Sequence, residues 1–404
     1  MTEITSNKEL ETVGLTIFSK DEFDERVRRC KEKMIEKELD TLIVTDPANM
    51  HYLTGYDGWS FYVPQCVVIS LLEEEPVWIG RGIDATGVPA TTSISYDNIH
   101  SYLDNYVHSP DLHPAEFIVD MIKHRGFDKG NIGVELDSNY YTGLLHKIFS
   151  ESLDLAELKD SGYLVNWLRS IKSDKEITLM QQAGVIIDRV MNLALDLIEP
   201  HMRQCDLVAE IRKAQVAGTD EFGGDYTSIV PLLPTGVNTC IPHLHWTDEK
   251  FNEDELVVME LAAARMHYHC PMARTVYLGE PPLVLRQIAD AAEEGVEAAL
   301  EVIKPGIKCE DIESKFSEVL AKHGYVKASR MGYSVGIGYP PDWGEHTMSI
   351  RPGSTYILEP NMTFHLMPAL WGDNWGVEIS QTFRVTENGY ELLGTIPRKL
   401  FVKN

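Results

Sequence analysis

Cysteine is scarce in this sequence, and positive charge is scarcer than negative. Six cysteines in 404 residues (Cys30, Cys66, Cys205, Cys240, Cys270, Cys309) form no Cys-x-x-Cys pair. That excludes a disulfide scaffold and points to reduced, mostly buried thiols of a cytosolic protein. Only 36 Lys and Arg stand against 62 Asp and Glu, a formal charge of −26. A surface of that sign repels nucleic acid and anionic membranes, so neither is expected as a partner. No run approaches the roughly 18 apolar residues of a membrane span. The opening stretch MTEITSNKELE is polar and acidic, unlike a signal peptide, and a cytoplasmic protein is expected. What is present, 44% hydrophobic and 24% charged residues, suffices for one large or two ordinary domains, each with a core of its own.

The first part alternates helices and strands. Phe23, Val27, Cys30 and Met34 recur at helical spacing, with Leu39-Asp40 expected to close that helix. Leu42 to Thr45 is a short apolar strand stopped by Asp46-Pro47. Gln65 to Leu72 and Val77 to Gly80 predict a hairpin around Glu73–Glu75, and Ile132 to Leu136 a further strand. These features predict an α/β domain over residues 1–172.

A long helical pattern from Asp174 to Ile198 opens a second domain over residues 173–404, within which a faint repeat is visible. Ala194-Leu-Asp-Leu-Ile-Glu-Pro200 parallels Ala299-Leu-Glu-Val-Ile-Lys-Pro305. Each is followed six positions later by an acid (Asp206, Asp311) and a second amphipathic helix. The matched proline and acidic cap favour duplication over chance likeness. Strands are expected after each copy: Ser228 to Leu233 and Leu256 to Leu278, then Tyr356 to Met367 and Gly376 to Val385.

Ionisable residues concentrate on the predicted strands of this second domain. His243 and His245, and His267 and His269, form two His-x-His pairs. Residues two apart on a strand share a face, so each pair can offer two nitrogens to one metal. The structural alternative is one buried, hydrogen-bonded member and one exposed member in each pair. Glu260 lies inside Leu256-Val-Val-Met-Glu-Leu-Ala-Ala, and Glu378 inside Trp375-Gly-Val-Glu-Ile-Ser. A carboxylate within such a run is costly to bury unless it is paired or functional. Two of them beside a histidine make a general acid/base set, the alternative being an ion pair with Arg274. Tyr56-Asp-Gly-Trp-Ser-Phe-Tyr-Val-Pro is aromatic-rich and suits a cation or amidine, or a loop packed on itself. Tyr339-Pro-Pro-Asp-Trp-Gly-Glu-His346 is expected as a proline-broken loop lining a pocket.

At these residues the chain resembles the creatinase and prolidase group. Asp46-Pro-Ala-Asn-Met-His-Tyr-Leu-Thr-Gly55, Arg169-Ser-Ile-Lys-Ser-Asp-Lys-Glu176 and Val385-Thr-Glu-Asn-Gly389 are similar to that group's motifs, and the likeness spans nearly the whole chain. The resemblance implies a creatinase-like N-terminal domain followed by an α+β pita-bread catalytic domain built from two related halves. It also implies a homodimer. The metallopeptidases of the group hold two metal ions on five side chains. Carried over residue by residue, those positions are Glu260, Pro271, Val335, Met367 and Glu378. Proline, valine and methionine cannot serve a hard divalent metal, so no metal or other cofactor is expected. His243 matches the group's catalytic histidine.

A tighter resemblance is to the ectoine hydrolase branch, through Tyr56–Gln65, Gly338-Tyr-Pro-Pro-Asp-Trp-Gly-Glu345 and Asn361-Met-Thr-Phe-His-Leu-Met-Pro368. It implies a small zwitterionic or cationic substrate, a cyclic amidine, held by Glu260 and Glu378 while His243 moves protons. Either Glu260 or His243 activates water, or Glu260 attacks directly. Trp59, Tyr62, Asp342, His365 and Arg274 are the expected substrate contacts, with Trp59 and Tyr62 closing the site from a neighbouring subunit. Alternatives are a creatinase-type amidinohydrolase, a metal-dependent Xaa-Pro dipeptidase using the His-x-His pairs, and a catalytically inert pita-bread binding module.

Overall fold

The computed structural model describes residues 17–403; the opening acidic stretch lies outside them. The chain divides into two compact units, Met1–Leu168 and Arg169–Asn404, a few residues before the boundary drawn from the sequence.

In the first unit, β1 (Thr41–Val44), β2 (Cys66–Ser70), β3 (Val77–Arg81), β4 (Ile99–Tyr102), β5 (Gly130–Val134) and β6 (Ala156–Asp160) form one mixed sheet in the order β4-β3-β2-β1-β5-β6. β2 and β3 are the expected antiparallel pair. Alternation along β1 sends Leu42 and Val44 to one face and Ile43 to the other. The first face packs against Val27, Cys30 and Met34 of the helix Lys20–Glu36. The second meets Ile118 and Ile122 of the helix Pro114–His124 and Phe149 of the helix Gly143–Ser152. The first helix stops short of Leu39-Asp40 because Glu38 turns left-handed, at φ 56°. The Leu39 N–H then bonds back to the Met34 carbonyl at 2.8 Å, a common way of closing a helix.

The second unit opens with the helix Asp174–Leu197. Ser173 Oγ accepts the Glu176 N–H, and the Glu176 carboxylate accepts the Ser173 N–H at 2.8 Å, a capping box legible as Ser-x-x-Glu. The repeat is realised twice as helix, proline break, helix: Asp174–Leu197 with Gln204–Ala217, and Leu283–Glu301 with Cys309–Lys322. The strands are β7 (Glu255–Arg265), β8 (Tyr268–Leu278), β9 (Gly332–Tyr339), β10 (Asp342–Ile350), β11 (Thr363–Leu366), β12 (Ala369–Trp371), β13 (Gly376–Glu378), β14 (Gln381–Val385), β15 (Tyr390–Leu393) and β16 (Phe401–Lys403). The main sheet runs β15-β14-β11-β9-β8-β16, with β7 on β8 and β10 on β9, while β12 and β13 form a separate pair.

Three expectations need correction. Ser228 to Leu233 forms no regular strand; Leu232 only bridges Glu260 and His245. The Tyr339–His346 segment is not a loop but the turn and opening of the β9–β10 hairpin, with Pro340 and Pro341 at its tip. Of the stretch Tyr356 to Met367, only Thr363–Leu366 is extended in a sheet.

Candidate active site

β7 and β8 make the floor of the site. Glu260 sits opposite Ala273, so alternation sets Val258, Glu260 and Ala262 on the same face as Pro271, Ala273 and Thr275. Thr275 clips β13 to β8. Its hydroxyl donates to the Glu378 carbonyl at 2.8 Å and accepts the Glu378 N–H at 2.8 Å. The two carboxylates therefore come from different strands into one electrostatic neighbourhood. Burial, then the charges of Glu378 and Asp342, push Glu260 well above the usual carboxylate range. Burial pushes Glu378 up to about 7, opposed by Lys327. Oε1 of Glu378 is buried with no hydrogen-bond partner among the described residues. Buried acceptors are rarely left so, and this one suits an incoming donor.

Beside the carboxylates runs a chain of side-chain hydrogen bonds. Trp343 Nε1–H donates to Tyr333 Oη at 2.8 Å, which lies 3.2 Å from His365 Nδ1. His365 Nε2 lies 2.7 Å from Ser380 Oγ, and that oxygen accepts the Ala273 N–H at 2.6 Å. Burial, with Arg330 and Arg274 nearby, draws the His365 pKa down to about 3, so the ring is neutral. A neutral imidazole accepts at one nitrogen and donates at the other. It takes the proton of one of the two hydroxyls and donates to the other, leaving that second hydroxyl's proton to point elsewhere. Tyr333 also borders Glu260. Its hydroxyl is pushed well above the usual phenol range by burial and then by the Glu260 charge.

The expected substrate contacts fall into three groups. His365 and Asp342 belong to this neighbourhood. Burial works against ionisation of Asp342, but His346 Nε2, 3.0 Å from Oδ2, and the Gly344 N–H, 3.0 Å from Oδ1, hold its pKa below the ordinary value. Arg274 does not belong to it. It pairs with Met259, on the face opposite Glu260. Its guanidinium donates to the carbonyls of Pro397, Ala273, Ser380 and Ile396 and to Gln381 Oε1. Arg274 is thus a structural staple, neither a substrate contact nor a carboxylate's ion-pair partner. Trp59 and Tyr62 are exposed residues of the first unit. There Trp59 packs on Phe61 at 4.9 Å, and the Tyr62 hydroxyl accepts from Arg81 Nη1 at 3.1 Å.

The His-x-His pairs are not two-pronged strand sites. His269 Nε2 accepts the Ser228 N–H at 2.9 Å, and Nδ1 lies 2.7 Å from the His267 carbonyl, to which it must donate. Both nitrogens are committed, and burial draws its pKa down to about 3. His267 precedes β8 in a left-handed turn at φ 63°, its ring stacked on Tyr339 at 4.3 Å. His243 is exposed on a turn at φ 65°. Leu232 lies between Glu260 and His245, so the backbones of those two stand about 10 Å apart, two strand spacings. The segment leading to His243 is tied to β13, where Thr239 Oγ1 accepts the Gly376 N–H at 3.0 Å.

Residues 26–171 match the creatinase/prolidase N-terminal domain, and residues 178–387 match metallopeptidase family M24. The chain belongs to metallopeptidase family M24. Within it, the chain is similar to an ectoine hydrolase of Halomonas elongata, 44% identical over 96% of this chain and 98% of that one. It is also similar to an uncharacterised hydrolase/peptidase of Sinorhizobium fredii, 42% identical over 96% and 99%. Among solved structures, a prolidase of Thermococcus sibiricus superposes with a TM-score of 0.81 at 20% identity, covering 94% of this chain and 99% of that one. A dipeptidase of Pyrococcus horikoshii gives 0.79 at 22%, covering 93% and 99%. These two carry the fold alone.

The residues of this M24 chain do not fit a dinuclear metal centre. Pro271 shares the Glu260 face, and Val335 follows Tyr333 by two on β9; neither has a side-chain donor atom. Met367, two past His365, offers only a soft thioether. Tyr333 and Ser380 are absent from the expected site, and Trp343 enters it only within the Tyr339–His346 segment expected to line a pocket. Tyr333 was findable, since it lies two residues from the Val335 ligand position and so shares its face.

Proposed function

We propose that this chain hydrolyses a C–N bond in a small cyclic amidine, opening ectoine to N-acetyl-2,4-diaminobutyrate without a metal. The observation that carries this reading is the pair of buried carboxylates, one with an oxygen lacking a hydrogen-bond partner among the described residues. An amidinium offers two N–H donors and a delocalised positive charge. Bound there, it would supply the missing donor and draw both carboxylates back to their ionised forms. The 44% identity to an ectoine hydrolase supports the choice of substrate.

In this mechanism the oxygen of water adds to the amidine carbon while Glu260 takes the water proton. Direct attack by the Glu260 carboxylate, followed by hydrolysis of the resulting ester-like adduct, gives the same balance. His243 delivers a proton to the departing nitrogen as the ring C–N bond breaks. One water is consumed and nothing leaves, because both fragments remain in one molecule. Trp59 and Tyr62 are assigned to closing the site from a partner subunit of a homodimer.

The test is to incubate chelator-stripped protein with ectoine and, separately, creatine. Ring-opened product from ectoine and none from creatine is expected, and Glu260→Gln should abolish turnover while leaving the fold intact. Activity that needs added metal, cleavage of an Xaa-Pro dipeptide, or a fully active Glu260→Gln protein would overturn the reading.

A further inference from the structure

Resting on that reading, we infer that Arg330 is the anion-binding arm of the site, holding the carboxylate end of a zwitterionic substrate whose cationic end lies against Glu260 and Glu378. A cyclic amidine bearing a carboxylate needs two opposite charges held at once. The acidic half of the site is plain, and the basic half is not supplied by Arg274, whose donors are spent on backbone carbonyls and Gln381.

Two other cations stand near. Lys327 Nζ donates to Ser329 Oγ at 2.7 Å and to the Ala369 carbonyl at 3.1 Å, and its charge acts on Glu378. Arg330 differs. It is exposed and precedes β9, with its guanidinium carbon 4.3 Å from the centre of the Tyr333 ring. Among the described residues it makes no hydrogen bond or ion pair. In a chain carrying 62 carboxylate residues against 36 Lys and Arg, a guanidinium left without an acid is conspicuous. Stacking on an aromatic face fixes the plane of a guanidinium while leaving its edge N–H groups free for a carboxylate.

The position suits the role. Tyr333 links the cation to the acidic centre, since its ring lies under Arg330 while its hydroxyl bonds His365 and borders Glu260. Arg330 acts on His365 as well, helping to keep that ring neutral. The planar fork suits a carboxylate bidentately, which a lysine at the same place would not reproduce.

The experiment compares ectoine with 2-methyl-1,4,5,6-tetrahydropyrimidine, the same ring without its carboxylate. Wild type is expected to favour ectoine in kcat/KM by about 100-fold or more, in line with loss of a charge-assisted pair of about 3 kcal/mol. Arg330→Gln should lose most of that preference through a raised KM for ectoine, with the carboxylate-free ring handled as by wild type. Arg330→Lys should recover part of it. If Arg330→Gln keeps the wild-type preference, the assignment of Arg330 fails while the amidine reading stands. If wild type opens neither compound, the amidine reading fails and this assignment with it.

Discussion

Glu378 shows how a single residue can set stability against function. Its pKa is pushed up to about 7, by burial first, with Lys327 opposing, whereas an unfolded glutamate titrates near 4.3. The folded form therefore binds the proton more tightly than the unfolded form. Its protonated side chain is compatible with the fold at low pH, and the contribution of Glu378 to stability falls as pH rises from about 4.3 through 7. Above that window the native state holds a buried carboxylate with an orphaned oxygen, at a cost on the order of 3 kcal/mol. Glu378→Gln is expected to be inactive, yet more stable than wild type at pH 8, with little difference at pH 5. Urea unfolding at the two pH values measures this. A gap that does not change with pH would show that the buried charge is not its source. His365 and His269, both drawn down to about 3 in the fold against about 6.5 when unfolded, act in the opposite sense, raising stability as pH climbs to about 6.5, but wild type and Glu378→Gln share that contribution, so it cancels from the difference between them.

At the scale of elements, the site depends on how closely β13 can approach its neighbours. Gly376 makes that approach possible. A Cβ there would lie 2.1 Å from the Thr239 carbonyl oxygen and 2.3 Å from the Trp371 ring. The same glycine donates its N–H to Thr239 Oγ1 and pairs with Trp371 in the β12–β13 ladder. Gly376→Ala must therefore push β13 away from the Thr239 segment and displace Glu378, two residues on. The expected loss is about 1–3 kcal/mol in stability, with a larger drop in kcat than the stability loss alone explains. Thermal unfolding alongside steady-state rates separates the two effects, and a fully active variant would show that β13 tolerates the shift.

The same scale explains what was legible in the sequence. The helix Asp174–Leu197 could be placed to within a residue, because its cap and its 3.6-residue apolar spacing are local signals. Glu260 stood out because a lone acid in an apolar strand has few explanations. Arg274 was misassigned because its partners lie far along the chain, and the partner that commits His269 Nε2 is equally remote. The Ser228 N–H and the carbonyls near residues 380 and 396 are brought in by folding alone. Tyr339-Pro-Pro-Asp carried turn chemistry but gave no sign that strands flank it on both sides. Ser380 was hidden for a related reason: a hydroxyl gains meaning only when its partner is in place.

For the whole molecule, the charge imbalance noted first has a thermodynamic consequence. A formal charge of −26 makes the compact state repel itself. Opposing this are surface pairs such as Lys20–Asp24, Lys33–Glu36 and Lys322–Glu318, each individually weak because water screens it. Salt weakens both effects, but unequally. Raising NaCl from about 10 mM to about 1 M shortens the screening length from ~30 Å to ~3 Å. Long-range repulsion among many carboxylates is then removed almost entirely, while partners in direct contact keep part of their attraction. The thermal midpoint is therefore expected to rise with salt, by a few degrees for about 1–2 kcal/mol of relieved repulsion. Scans at constant pH across that range test it. The rise should be steeper at pH 8 than at pH 5, because the buried carboxylates Glu135 and Glu378, both pushed up to about 7, add their charge only at the higher pH. A midpoint that falls with salt would mean that contact pairs, not net charge, govern the stability of this chain.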